Sequence, residues 1–329
     1  MKILLVNKYL YRKGGAETYF IKLGEYLKSL GNEVEYFGMA DERNCVENRV
    51  EAYTENIDFH KKSLKHITYP FKIIYSVNAR KQIRKVLSDF KPDVVHLNNF
   101  NYQLTPSIIY EIKKHNIPIV YTAHDVQLVC PNHKLKNDYT DGLCRKCDGG
   151  KYFECVKNNC VHSSKIRSIL GAVEAWYYKL RHTYKMIDLT VCPSEFMEKE
   201  ISRNDDINGR TVTMYNFIGE IKPLGAECEN YVLYFGRYSE EKGISNLVKA
   251  AKKLSNIPFV FAGKGELENE VNSADNIKNV GFKTGDELRN IIEKALFTVL
   301  PAEWSENCPF SVMESQSLMT PVLGAKIGG

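Results

Sequence analysis

The sequence predicts an α/β protein of two doubly wound parallel sheets, set one after the other along 329 residues. Three observations lead there. Short apolar runs (KILLVN at 2–7, IPIVYT at 117–122, YVLYF at 231–235, FVFAG at 259–263) alternate with segments whose apolar residues recur at helical spacing, the pattern of βα units around buried strands. Two of the runs lead into glycine-rich turns, Gly14-Gly15 and Gly263-x-Gly265, at the strand ends where such sheets meet ligands. A chain of this length can hold two cores.

Composition narrows the class. Hydrophobic residues make up 43% and charged residues 26%, ordinary for a globular protein. A net charge of +5 is mild, and argues against a nucleic-acid partner, which usually shows a stronger and more clustered basic excess. No apolar run is long enough to span a bilayer. The ILLV start is too short for a signal-peptide core, so a cytoplasmic protein is expected.

Residues 1–216 read as the first domain. KILLVN is the first strand. Ala16, Tyr19, Phe20, Leu23, Leu27 and Leu30 then trace a helix closed by Gly31, and EVEYFG is the next strand. The Gly14-Gly15 turn lacks G-x-G-x-x-G, which weakens a dinucleotide-dehydrogenase reading. Residues 59–88 hold eight Lys or Arg and no acid, mixed with Phe71, Ile73, Ile74 and Tyr75. A solvated helix face and a peripheral contact with an anionic membrane both fit that composition. DVVHLNN at 93–99 is a strand and 104–115 a helix. IPIVYTAHD at 117–125 is a strand ending on His124-Asp125, where a ligand-orienting histidine would stand; His96, in mid-strand, reads as structural. Residues 166–184 form an aromatic helix whose Trp176, Tyr177 and Tyr178 would pack on the sheet or on an acceptor. After a strand at 187–193, Ser194 caps the next helix, and 211–215 is the last strand.

Between Cys130 and Cys160 lie five of the nine cysteines, in a stretch without periodic pattern. Cys144-x2-Cys147 and Cys155-x4-Cys160 have the spacing of a closed, structural zinc site. Free thiols and a pair of disulfides are the alternatives.

A hinge at 217–230 leads to the second domain, 231–329. YVLYFGRYSEEKG is a strand, then Gly236-Arg237, then Lys242-Gly243 opening a helix. FVFAGKGELE is a strand with a Gly263 and Gly265 exit, 277–282 a third strand, 286–294 a helix and 297–300 a fourth strand. PAEWSENCPFSVMES follows at 301–315, with Glu306 and Glu314 eight positions apart. Pro309 suits the first position of a helix, which would leave the N–H groups of Phe310 and Ser311 to receive an anion.

Taken together, G-R-x4-K-G at 236–243, E-x7-E at 306–314, T-x-H-D at 122–125, GGAE at 14–17 and the closing Thr320-Pro321-Val322 and Gly328-Gly329 resemble the retaining glycosyltransferases of the GT-B type, family 4. The resemblance covers essentially the whole chain and implies two facing Rossmann-like domains. It implies a UDP- or GDP-sugar donor on the second domain, with Arg237, Lys242, Gly263, Phe310 and Ser311 at the diphosphate, Glu314 at the ribose and Glu306 at the sugar hydroxyls. His124 would orient the sugar, and Gly14 and Gly15 would approach donor and acceptor. No catalytic metal is expected. A saccharide or lipid-linked acceptor is implied, in surface-polysaccharide synthesis at the inner face of the membrane. The family continues past the Gly-Gly loop, so the second domain is expected to be incomplete, as a fragment or a truncation. An epimerase of the same fold and a non-catalytic binding module are the rival readings.

Overall fold

The structure, a computed structural model, describes residues 1–56, 69–137 and 142–329. It divides into two compact units, Met1–Tyr215 and Asn216–Gly329.

The first unit holds a six-stranded parallel sheet in the order β2-β1-β3-β4-β5-β6, formed by β1 (Lys2–Val6), β2 (Glu33–Phe37), β3 (Val94–Leu97), β4 (Ile119–Thr122), β5 (Leu189–Cys192) and β6 (Thr211–Thr213). Leu4, Leu5 and Val6 are fully buried, as a strand covered on both faces requires, each side chain contributing about 1.5–3 kcal/mol. Leu5 packs with Phe20 and Ile21 of α1 (Gly15–Ser29) on one face. Leu4 and Val6 pack on the other with Ile83, Val86 and Phe90 of α3 (Val77–Phe90) and with Ile108, Ile109 and Ile112 of α4 (Ser107–Lys114). Gly24 lets α1 lie against β2, since a Cβ there would stand 2.2 Å from Tyr36 Oη. Helix α1 stops where Gly31 takes φ +81°.

Helix ends follow capping chemistry. Ser76 Oγ accepts from Ala79 N–H at 3.1 Å to start α3, and Ser194 Oγ accepts from Met197 N–H at 3.2 Å to start α7 (Glu195–Ile201). The aromatic segment forms α6 (Lys165–Leu180), followed by a short 3-10 turn at Thr183–Met186. Tyr178 is buried and its hydroxyl bonds Ile74 O at the end of α2 (Tyr69–Ile74). Trp176, expected on the sheet or on an acceptor, is not on the sheet but at the surface, with its indole N–H on Gly150 O at 2.9 Å. The cysteine-rich stretch, expected to be irregular, contains α5 (Phe153–Lys157) packed on α6.

The expected basic face at 59–88 is only partly described; Lys61, Lys62 and Lys65 lie outside the described residues. Within the rest, Arg80 and Arg84 bind the buried Glu111 at 2.8 and 2.6 Å. Those two cations hold α3 to α4.

The second unit holds a five-stranded parallel sheet in the order β11-β10-β7-β8-β9. Its strands are β7 (Val232–Arg237), β8 (Phe259–Lys264), β9 (Ile277–Asn279), β10 (Phe297–Leu300) and β11 (Val322–Gly324). Helix α8 (Ile244–Lys253) packs Ile244, Leu247 and Val248 against Val232, Tyr234 and Phe261. On the opposite face, Ile292 of α10 (Gly285–Lys294) packs against Leu233 and Ala262. The remaining helices are α9 (Glu268–Val271) and α11 (Phe310–Ser317).

Candidate active site

In the second unit the carboxyl ends of the central strands carry the predicted residues. β7 ends on Gly236-Arg237, and Gly236 takes φ +144°. β8 leaves beside it through Gly263, where a Cβ would stand 1.9 Å from Gly236 O. Only hydrogen fits there, so β7 and β8 stay paired out to their last residues, Arg237 and Lys264. Gly243, at φ +71°, lets Pro301 O come within 1.9 Å of where its Cβ would be. This close approach brings the loop after β10 onto the loop after β7, and Glu303 N–H donates to Glu241 O at 3.1 Å.

Glu306 is thereby drawn to Lys242. The ammonium and the carboxylate form an ion pair, Trp304 Nε1–H donates to the same Glu306 oxygen at 2.8 Å, and the Lys242 ammonium stands 5.6 Å from the Trp304 ring centre. The Glu306 backbone is clamped as well: Gly329 N–H donates to Glu306 O at 2.8 Å, and Gly328 at φ +85° leaves room for that contact. The sequence assigned Lys242 and Glu306 to different parts of one ligand; folded, they are partners. Arg237 takes a separate partner, Glu241 at 3.8 Å, and its side chain is largely exposed, so this pair contributes little on its own.

Pro309 is the N-cap of α11 rather than its first helical residue, with ψ 125°. The helix therefore starts at Phe310, one position later than the sequence suggested, and the Phe310 and Ser311 N–H groups belong to its unpaired first turn. Glu314, inside α11, lines a pocket of about 350 Å³ with Glu220, Arg289, Ile292 and Leu318. Glu306 is not among the residues lining that pocket.

In the first unit the predicted residues gather at the carboxyl ends of β1, β3 and β4. Gly14 caps α1 with extended backbone, and Gly15 begins the helix. His124 Nε2 bonds Asn98 Oδ1 at 2.8 Å, and its ring meets Tyr19 edge-on with centroids 5.2 Å apart. His96 shares a 2.7 Å hydrogen bond with Thr122 Oγ1. Burial lowers the pKa of His124 to about 4; burial and the neighbouring His124 do the same to His96. Both rings are neutral at pH 7, and His124 with its proton on Nε2 offers Nδ1 as an acceptor.

Beside them lies a charged group that sequence reasoning did not single out. His133 Nδ1 stands 3.3 Å from Asp125 Oδ2 and within the same distance of Asn101 Nδ2, and its ring stacks on Tyr102 at 5.7 Å. Burial works against charge on both His133 and Asp125, but their mutual attraction wins. The His133 pKa is raised and the Asp125 pKa lowered. Lys8 bonds Asn101 Oδ1 at 2.9 Å, and burial brings its pKa down to about 8 despite Asp125. Asn98 had a legible signal, an amide just past a strand end beside the His124 strand. Lys8 had none, because its contact with Asn101 spans 93 positions; His133 lies eight positions from Asp125, but in a stretch without periodic pattern that gives no sign of the pairing.

The four cysteines proposed as ligands gather, with Cys130, around one small cavity in this unit, and none is in a disulfide. As the side chains stand, no three of the described His, Cys, Asp and Glu residues are arranged to hold a metal ion.

Comparison with known proteins bears on family and fold. Residues 13–219 match the family Glycosyltransferase Family 4, and residues 220–329 match Glycosyl transferases group 1. A relative from Klebsiella pneumoniae, an uncharacterized 42.6 kDa protein in the cps region, is 26% identical over all of this chain and 86% of its own length. A Bacillus subtilis relative, the putative teichuronic acid biosynthesis glycosyltransferase TuaC, is 32% identical over 33% of this chain and 28% of its own. Among solved structures, Anabaena HepE in complex with UDP superimposes with a TM-score of 0.65 at 16% identity, covering all of this chain and 82% of HepE. Sucrose-phosphate synthase from Thermosynechococcus elongatus does so with a TM-score of 0.68 at 16% identity, over all of this chain and 82% of its own. The chain belongs to glycosyltransferase family 4 and is a glycosyltransferase of the GT-B fold.

Proposed function

We propose that the chain is a retaining glycosyltransferase that moves a sugar from a UDP- or GDP-sugar to a hydroxyl of a saccharide or lipid-linked acceptor. The observation that carries the reading is the Lys242–Glu306–Trp304 cluster at the strand ends of the second unit. A pyrophosphate gains negative charge as it leaves the sugar. Lys242, Arg237 and the first turn of α11 would neutralise that charge, in the place a divalent cation takes elsewhere. Glu306, relieved of part of its hold on Lys242 by the incoming phosphate, would accept hydrogen bonds from sugar hydroxyls. Glu314 would accept from the ribose. His124, neutral, would accept a sugar hydroxyl on Nδ1, and the Gly14-Gly15 turn would leave room for donor and acceptor.

HepE, solved with UDP and with UDP-glucose, supports the uridine choice. The cps and teichuronic acid names of two relatives support a role in surface-polysaccharide synthesis. A peripheral contact with an anionic membrane, expected through residues 59–88, belongs to the same reading, and α6 offers a second surface for it. In α6, Ile166, Ile169, Val173, Trp176 and Leu180 form one exposed apolar stripe, with Lys165 and Lys179 to one side and Arg167 and Arg181 to the other.

The test is incubation of the purified chain with UDP- and GDP-sugars, with thermal shift for binding and NMR of the transferred sugar for anomeric configuration. Donor hydrolysis or transfer with retention is expected. Inversion would refute the retaining mechanism, epimerised donor would favour the rival enzyme class, and binding without turnover would leave a binding module.

A further inference from the structure

The five cysteines between Cys130 and Cys160 come from separate pieces of chain: the turn after β4, the loop holding Cys144 and Cys147, helix α5 with Cys155, and the turn that follows it with Cys160. The fold gathers them around a single cavity of about 10 Å³, whose other lining includes Val129, Pro131 and Leu135. That is room for one water-sized body. Clustered thiols can serve simply as small apolar side chains. Their surroundings argue otherwise. Asn137 Nδ2–H donates to Cys144 Sγ at 3.0 Å, while burial and the neighbouring sulfurs hold the Cys147 and Cys155 thiols protonated as they stand. A neutral thiol is a weak acceptor, and donors aimed at sulfur suit a thiolate. Thiolates gathered this closely need a cation between them. Of the two cations between Cys144 and Cys147, Arg145 is already bound to the fully buried Glu200 and Lys146 is exposed, which leaves Lys136, among the described residues, as the one other cation on the cavity lining.

We propose that four of these five cysteines bind one zinc ion as thiolates, closing the insert around a structural metal site. As the side chains stand, Cys130 donates to Asn132 Oδ1 at 2.9 Å and Cys155 bonds Cys160. Binding asks these side chains to rotate between staggered positions toward the shared cavity. Four sulfur ligands leave no open position, so the ion has a holding role rather than a chemical one. What it holds is specific. His133 lies between Cys130 and Cys144 in sequence and reaches Asp125, next to His124. The metal would order the loop that delivers His133 to the strand ends. This inference does not depend on which reaction the chain performs.

The experiment is elemental analysis of the full chain, purified without added metal or a metal-affinity step, with release followed by a mercurial and a chromogenic chelator. One zinc per chain is expected. Among single Cys→Ser changes at the five positions, four are expected to lose it; Cys45→Ser and Cys228→Ser, at exposed sites outside the cluster, are expected to keep it. Metal-free wild-type protein with all nine thiols reactive in denaturant would overturn the proposal. So would fewer than nine reactive thiols without metal, which means disulfides, or iron with visible absorbance. Zinc that survives all five changes would overturn the ligand set. The wild-type measurement decides the first three outcomes even where a variant does not fold.

Discussion

Lys242 and Glu306, 64 positions apart in the chain, meet as an ion pair in the second unit, with the Trp304 indole N–H on the same carboxylate oxygen. The pair joins the loop after β7 to the loop after β10. Glu306 is nearly buried, so removal of either partner leaves a charge with reduced access to water.

Lys242→Ala is expected to lower kcat/KM by about 100- to 1,000-fold, the scale for losing one preorganised charge partner. It should also destabilise the second unit by about 1–3 kcal/mol, since Glu306 loses its cation. Lys242→Ala combined with Glu306→Gln should recover part of the stability and none of the activity. Steady-state kinetics and denaturant unfolding check both. Full activity in Lys242→Ala would end the diphosphate assignment.

The two histidines of the first unit make stability depend on pH. Their folded pKa values lie near 4, below the usual value of about 6.5. Between those limits the unfolded chain binds more protons than the folded one, so stability is complete above pH 6.5 and falls as pH drops toward 4. The slope approaches about 1.4 kcal/mol per pH unit for each histidine. His133 and Glu174, whose pKa values are raised, act in the opposite direction, so the readout is a difference: urea midpoints from pH 7.5 to 5 should fall more steeply in wild type than in His96→Gln. Identical pH profiles for the two would contradict neutral burial of His96.

Gly263→Ala is expected to cost at least about 1–3 kcal/mol, because its Cβ would meet the Gly236 carbonyl, which is backbone and cannot rotate away. Gly219→Ala, with nothing within 4 Å of its Cβ, serves as the control and should be nearly neutral. Thermal unfolding of the two variants compares them directly. Equal melting temperatures would mean that β7 and β8 part more easily than their pairing suggests.

The exposed stripe on α6 predicts sedimentation with vesicles rich in anionic phosphatidylglycerol and not with phosphatidylcholine alone. Ile169→Glu with Val173→Glu should reduce the bound fraction several-fold while leaving the melting temperature nearly unchanged, because both side chains are exposed. Glu111→Ala is the contrast. The carboxylate is buried, and its hydrogen bond from Arg84 leads the interactions that bring its pKa down to about 2. Its loss should cost about 3–5 kcal/mol without changing vesicle binding. Binding to neutral and anionic vesicles alike would remove the electrostatic part of the argument.

Local patterns made much of this protein legible. KILLVN, IPIVYT and FVFAG announce buried strands because both faces of a parallel sheet must be apolar. Ser194 and Gly31 mark helix ends because backbone N–H and C=O groups left over there need partners. The spacing in G-R-x4-K-G and E-x7-E told which family to expect, since it reflects two strand-to-helix turns. Less was legible where local chemistry was ambiguous. Trp176 reads equally as a sheet-packing or an acceptor-facing residue by type, and only the fold puts it on the exposed face of α6. Pro309 reads as a first helical residue, yet its ψ is extended.

What the amino-acid order determined by itself is periodicity and turn chemistry, because these depend on residues a few positions apart. Tertiary structure alone decided which charges meet: Lys242 with Glu306, Arg80 and Arg84 with Glu111, His133 with Asp125, and five thiols around one cavity. Coulomb attraction and desolvation act over a few ångströms of space. Residues far apart in sequence come within that range only when strand order and loop packing bring them there.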